Sequence, residues 1–419
     1  MKRAALFTLC AFVFSIPLEN VFVIPGFGTM CKAIGGLAAF LAVVAHCHSP
    51  RSIEPFHKWV LVFIALTAVS LLWTNSQEET LYRTGLYSQL FVMIWMLWQH
   101  TTVTEIRFLM RAYIYGEMLA CASTIMNYLN GAKYLGVLTS DTRYAATGFD
   151  PNDIALTLAV GIPIGWYLGT RGSPLSRYFH RGYVPLAFMA ILLAASRGGV
   201  ISLGVSLFSL LFVGGRLSGV KRVVLVAVIA VTMGGLVLLA PTAGTDRLLS
   251  TGQELRTGNL SNRVDIWLAG LRLFVQSPLV GIGAGGFRTA VVPELGKEVV
   301  AHNTYLAILA ELGILGALVF VTVVGLCVRT VRRLPLTERR LWEITLLTLG
   351  VGVFSLSWDI NKNAWLIIGL AVAHSSAVRG RRLKGVTGRI VLYRYSVPSH
   401  AAGIDKRRSA FQGAAGQLL

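Results

Sequence analysis

An all-α polytopic membrane protein of about twelve transmembrane helices is the fold class this sequence predicts, on three observations. Of its 419 residues 54% are apolar and only 14% are charged, against about 25% charged in an ordinary soluble domain. The apolar residues fall in long runs, and twelve spans of about 20 residues each would use nearly all of them. The basic residues collect in alternate connections between those runs. Together these features exclude a soluble enzyme, a disordered chain and a secreted disulfide scaffold.

The first run follows Met1-Lys2-Arg3 and ends at Ile16. Pro17-Leu18-Glu19-Asn20 supplies no small-residue cleavage site, so the run is expected to be a retained first span rather than a signal peptide. Further apolar runs lie at 28–47, 57–73, 84–99, 105–128, 152–170, 183–196, 199–214, 223–240, 303–327, 340–357 and 363–378. With the N-terminus placed in the cytoplasm and the spans alternating, 26 of the 38 lysines and arginines fall on the inner side. The outer side keeps twelve basic and twelve acidic residues. The net charge of +19 is therefore an orientation signal, and no nucleic-acid partner is expected. Residues 1–379 form one transmembrane domain in this reading. Residues 380–419 form a basic cytoplasmic tail, expected to be mobile and drawn to anionic headgroups. Both termini are expected in the cytoplasm. Cys10, Cys31, Cys47, Cys121 and Cys327 lie in or beside apolar runs without metal-ligand or CxxC spacing, and read as small hydrophobes.

One connection breaks the pattern. The outer segment 241–301, between spans nine and ten, is far longer than an ordinary loop. It contains a predicted interfacial helix over 262–276, with Ser261 or Asn262 as N-cap and Asp265 in the first turn. Val264, Trp267, Leu268, Leu271 and Val275 form its apolar stripe.

Several places could carry chemistry. Arg197, in Ala195-Ser196-Arg197-Gly198-Gly199, interrupts an apolar stretch at the outer end of a tight hairpin. It is either a charge snorkelling to the interface or a cation at a polar cavity, where glycines would let a phosphate approach. His302 opens the tenth span on the outer face. There the helix dipole and nearby arginines would keep it neutral and able to accept a proton; a capping or interfacial histidine is the competing reading. Arg263, Arg272 and Arg288 share the outer loop, and arginine suits phosphate through its bidentate fork. Arg263 and Arg272 are nine residues apart and would face opposite sides of a helix. Finally, Asp150-Pro151-Asn152-Asp153 reads as an N-cap with proline at the first helical position, while Asp359 and Lys362 either pair with each other or orient a neighbour. Gly281-Ile282-Gly283-Ala284-Gly285-Gly286 satisfies GxGxxG but lacks the strand and helix of a dinucleotide site, so a tight turn re-aiming the loop is expected. No metal site is expected, since no clustered His, Asp or Glu ligands occur.

The order of several segments resembles the O-antigen ligase and polymerase superfamily. They are Gly148-x-x-Pro151-Asn152, Ser196-Arg197-Gly198, Ser261-x-Arg263-x-x-x-Trp267, Pro278 to Phe287, His302-Asn303-x-Tyr305-Leu306 and Glu311 to Gly316. The resemblance covers about 148–316 and implies a GT-C-like glycosyltransferase of the bacterial inner membrane, with its active site facing the periplasm. It implies an O-antigen ligase, with an undecaprenyl-pyrophosphate-linked O-antigen as donor and a lipid A–core hydroxyl as acceptor. No metal or other cofactor, inversion at the anomeric carbon, membrane lipid as surroundings and a monomeric state are further expectations. The family's functional histidine falls on His302 and its arginines on Arg197 and Arg263. Arg272, Arg288 and Asn303 join the expected donor-binding set, with Asp359 and Asn152 in support. The alternatives are an O-antigen polymerase, a protein O-oligosaccharyltransferase and, among non-enzymes, a lipid-linked glycan flippase.

Overall fold

The computed structural model describes residues 1–24, 26, 28–135, 143–213 and 263–395, with scattered positions between 219 and 234; side chains are described as far as 381. Most of the ninth predicted span, the loop from 241 to 262 with the caps Ser261 and Asn262, and the tail beyond 395 lie outside the described residues.

Within them the protein is all-α apart from one two-stranded hairpin, Val23–Ile24 against Gly28–Thr29. In chain order the helices are α1 Lys2–Ser15, α2 Met30–His46, α3 Pro55–Val69, α4 Gln77–Gln99, α5 Val103–Leu129, α6 Pro151–Leu168, α7 Pro174–Ala194 and α8 Arg197–Phe212. They continue with α9 Arg263–Gln276, the short α10 Phe287–Ala290 and α11 Val292–Leu295, then α12 Thr304–Arg332, α13 Leu336–Gly352 and α14 Lys362–Tyr395. A helix thus lies at each of the eleven predicted spans that the described residues cover in full or nearly so. By length and apolarity alone, Pro55–Leu72 and Thr304–Arg332 suffice to cross a membrane, and Met30–His46 and Arg197–Phe212 are shorter apolar helices. α7 starts earlier than its apolar run because Ser173 accepts a hydrogen bond from the Ser176 amide and Pro174 sits in the first turn. α14 continues past 379 to Tyr395.

α6 forms the centre. Nearly every residue along it is buried, as expected for a helix apolar on all sides, and it packs against α5, α7, α8 and α13. The starts of α6, α8, α12 and α14 and the ends of α7 and α13 therefore meet at one end of the bundle.

α12 is broken. Gly313 has φ 63° and ψ −164° inside it, and the segment 278–283 lies across the break. Ile314 donates its N–H to Pro278 O at 2.8 Å and Leu315 to Leu279 O at 3.1 Å. Ile282 and Gly283 donate to Ala310 O and Glu311 O at 3.1 and 2.9 Å. These bonds satisfy the polar groups that the break would otherwise leave bare, the condition for irregular backbone in an apolar setting. The first half of α12 is thereby fastened to the loop before it.

Candidate functional site

Four element ends build the site, and local sequence explains each. Asp150 caps α6 by accepting the Asn152 amide at 2.7 Å, with Pro151 in the first turn, as the sequence predicts. Ala195 ends α7 in the left-handed region at φ 47°, and Ser196 then caps α8 by accepting the Gly199 amide at 3.2 Å. Arg197 is the first residue of α8 and is half-buried. The glycines after it do not leave room for a ligand. A side chain on Gly198 would meet Ser355, and one on Gly199 would meet Ala155; close helix packing, not phosphate approach, is their use.

Asn152 joins the first two ends. Its Oδ1 accepts from Ser196 Oγ at 3.0 Å and from Arg143 Nη2 at 2.9 Å, while its Nδ2 donates to Asp150 Oδ1 at 2.9 Å. Arg143 also donates from Nε to Ala194 O at 3.0 Å. The turn that presents Arg197 is thus locked to the start of α6.

The third end is α12. Asn303, not His302, is its N-cap, with Oδ1 accepting the Leu306 amide at 3.1 Å. His302 precedes it, half-buried, with φ 46°. A non-glycine residue there costs about 1–2 kcal/mol, so the surroundings hold it. Burial lowers its imidazole pKa below the ordinary histidine range, and the Arg263 charge lowers it further; the Asp150 charge opposes both. The neutral form follows, and the charges of Arg263 and Asp150 both reach the imidazole.

α9 brings Arg263 there. Its packed face is Ile266, Ala269, Gly270 and Leu273, seated on Phe287, Ala301, Ala307 and Ala310. Of the predicted apolar stripe, Leu268, Leu271 and Val275 point outward, the last 73% exposed, while Trp267 packs against the seated face. Small residues win because Gly270 approaches Leu306 and Phe287 more closely than any side chain would permit. Trp267 Nε1 donates to Ala301 O at 3.2 Å and ties α9 to the residue before His302. Arg272, on the other face, pairs with Glu294, and Arg288 with Glu298 at 3.0 Å. Both pairs lie at the exposed edge of the loop.

The fourth end is the turn before α14. Trp358 Nε1 donates to Asp153 Oδ1 at 2.7 Å, and its amide donates to Thr304 Oγ1 at 2.8 Å. Thr304 Oγ1 donates in turn to Leu356 O at 2.7 Å. This chain of bonds runs from α6 through the turn to the start of α12. Asp359 and Lys362 do not pair with each other. Asp359 pairs with Arg83 of α4 and accepts from Tyr87 at 2.9 Å, whereas Lys362 pairs with Glu19. A cavity of about 90 Å³ opens beneath, with Thr304, Trp358 and Asp359 at its polar end and side chains such as Phe320, Leu349 and Ile368 along it.

The glycine-rich stretch is the expected tight turn. Gly281, Gly283 and Gly285 all have positive φ, and buried Glu311 accepts the amides of Gly285 at 2.9 Å and Phe287 at 3.4 Å. Thr80 Oγ1 donates to Ala284 O at 2.7 Å. The stretch wraps a carboxylate of its own chain.

His302, Arg263, Asp150 and the Asn152–Ser196–Arg197 network accordingly share one end of the bundle. Arg83, Arg143 and Trp358 were not singled out by the sequence. The available signal was that Arg83 directly precedes the apolar run 84–99. Among the described residues no group of three His, Cys, Asp or Glu comes together.

A search of curated proteins gave no match. Comparison with protein families matched residues 183–321, from α7 through the first half of α12 and beyond its break, to the family described as O-antigen ligase. The matched stretch contains Arg197, Arg263 and His302, and the family is membrane-integral and glycosyltransferase-like. Over residues 183–321, about a third of the chain, the sequence is thus similar to the O-antigen ligase family.

Proposed function

We propose that this protein is an O-antigen ligase. It would transfer O-antigen from undecaprenyl pyrophosphate to a hydroxyl of lipid A–core at the periplasmic face of the inner membrane, with about twelve spans and both termini cytoplasmic. The observation that carries the reading is a half-buried histidine kept neutral by burial and by the charge of an arginine, at the bundle end where a second arginine opens α8.

His302 takes the proton of the acceptor hydroxyl as its oxygen attacks the anomeric carbon. The bond from that carbon to the pyrophosphate oxygen breaks, its electron pair stays on the pyrophosphate, and configuration inverts. Arg197 and Arg263 stabilise the charge that develops there through preorganised, bidentate bonds. Asn303 caps α12 beside His302, and Asn152 and Asp359 hold the surrounding ends. Arg272 and Arg288 would reach donor only by leaving their carboxylate partners. Two arginines supply the charge stabilisation a divalent ion would give, so transfer is expected to proceed without metal.

The test is reconstitution of the purified protein with lipid-linked glycan and lipid A–core, scored as glycan transfer on a gel, with and without excess EDTA. Glycan joined to lipid A–core in both conditions is expected. Longer lipid-linked glycan in place of that product would make the protein a polymerase. Movement of donor across the bilayer without transfer would make it a flippase.

A further inference from the structure

The opposite end of the bundle, where α5, α7 and α13 begin and α6 ends, holds cations of a different kind. Arg107 and Arg171 both face the Tyr167 ring, at 6.0 and 4.7 Å from its centroid, and Arg107 Nη2 lies 3.4 Å from Tyr167 Oη. Arg181 lies 5.4 Å from the Trp166 ring. Arg111 is close enough to His180 for its charge to act on that imidazole. Four guanidiniums thus ring the end of α6.

Their counter-charge is scarce. Glu338 pairs with Arg171 at 2.8 Å. Glu105, on the same helix as Arg107, is turned to the Thr102 cap and to His100, and Glu343 is taken by Arg339 at 3.6 Å. Among the described residues Arg107, Arg111 and Arg181 have no carboxylate partner, and their buried Nε atoms, like that of Arg171, have no hydrogen-bond acceptor. Unpaired buried donors on cations are costly, so an anion from outside the chain is the missing acceptor. Beside them the first turns of α7 expose Leu175, Tyr178 and Phe179, at 81%, 70% and 53%. Apolar side chains next to phosphate-seeking cations suit a molecule that is anionic at one end and greasy at the other.

We propose that Arg107, Arg111, Arg171 and Arg181 form an inner-end site for the phosphate of an anionic phospholipid headgroup. The acyl chains lie along Leu175, Tyr178 and Phe179. The site is remote from His302 and independent of the transfer reaction; it rests only on the bundle being in a membrane.

The experiment is native mass spectrometry of the full chain, titrated in detergent with phosphatidylglycerol or phosphatidylcholine, with thermal unfolding as the check on folding. The triple variant Arg107→Gln, Arg111→Gln, Arg181→Gln is compared with Arg329→Gln, Arg332→Gln, Arg333→Gln at the inner end of α12. About fivefold weaker phosphatidylglycerol binding is expected for each site arginine removed, roughly 10²-fold for the triple, and less than threefold for the control triple. Should the triple misfold, the single variants Arg111→Gln and Arg181→Gln are expected to show the fivefold loss each. Equal weakening in both triples would reduce the arginines to diffuse surface charge. Equal retention of the two lipids would also overturn the proposal, as would inorganic phosphate competing as strongly as the lipid.

Discussion

α8 and α12 begin with the same device and use it differently. Ala195 at φ 47° and His302 at φ 46° are the non-glycine residues with left-handed backbone among those described. Each is followed at once by a capping residue, Ser196 or Asn303, that accepts the amide three positions on. At α8 the strained residue carries only a methyl group and the cation comes two residues later, at the first helical position. At α12 the strained residue is the proposed base itself. Strain at the first turn serves a tight reversal that any small residue could make. At the second, glycine would relieve the strain but would remove the imidazole proposed as base. An outlier of this sort points toward function rather than the reverse.

The comparison predicts a graded series. His302→Asn is expected to lower kcat by about 10²–10⁴ while donor binding stays near wild type. Asparagine tolerates left-handed backbone, so the fold should survive, and near-normal turnover would make the two helix starts equivalent structural devices. Arg197→Lys and Arg263→Lys keep the charge and lose the fork. Each is expected to cost about 10–10² in kcat/KM, with weaker donor binding, at roughly 1.5–3 kcal/mol for a charged hydrogen bond; donor titration alongside turnover would check this.

A smaller effect concerns pH. Transfer requires neutral His302, so kcat/KM should rise with pH through a value below the ordinary histidine range and be flat at neutrality. Asp150 raises the His302 pKa, so Asp150→Asn, which keeps a good cap, should move the acid limb to lower pH. A limb that stays fixed would separate Asp150 from the base. The smallest effect is expected of Ala195→Gly. Relief of strain is partly offset by glycine's unfolded-state entropy of about 0.5–1 kcal/mol, leaving a gain of at most about 1 kcal/mol by thermal unfolding and unchanged transfer. Loss of activity there would mean the first turn is functional as well.

What the sequence made legible was local. The Asp150 cap, the hairpin at Ser196 and the helix start at His302 depend on residues a few positions apart, and the structure has them where the patterns put them. The misreadings came from partners far along the chain. Asp359 and Lys362 sit three residues apart, yet each pairs with a residue far earlier in the chain, Arg83 and Glu19; proximity in sequence gave no hint of either. In α9 apolar size picks out the outward-facing Leu268, Leu271 and Val275, whereas the packed face with Ala269 and Gly270 follows from a closeness of approach that the sequence does not display. The break at Gly313 is invisible in the apolar run of 303–327, since its cause is the backbone of residues 278–283.

The pairing of Arg83 with Asp359 also sets a schedule for making the protein. The two residues are 276 positions apart, and chains grow at about 5–20 residues per second, so Arg83 reaches its destination roughly 15 to 55 seconds before its carboxylate exists. Throughout that interval the nascent protein holds a cation with no permanent partner at the end of α4. The bond that closes it waits for the turn before the last described helix. Assembly of the site therefore waits on residues made long after α4, and a ribosome stalled between α4 and α14 would leave a chain with an arginine still looking for its acid.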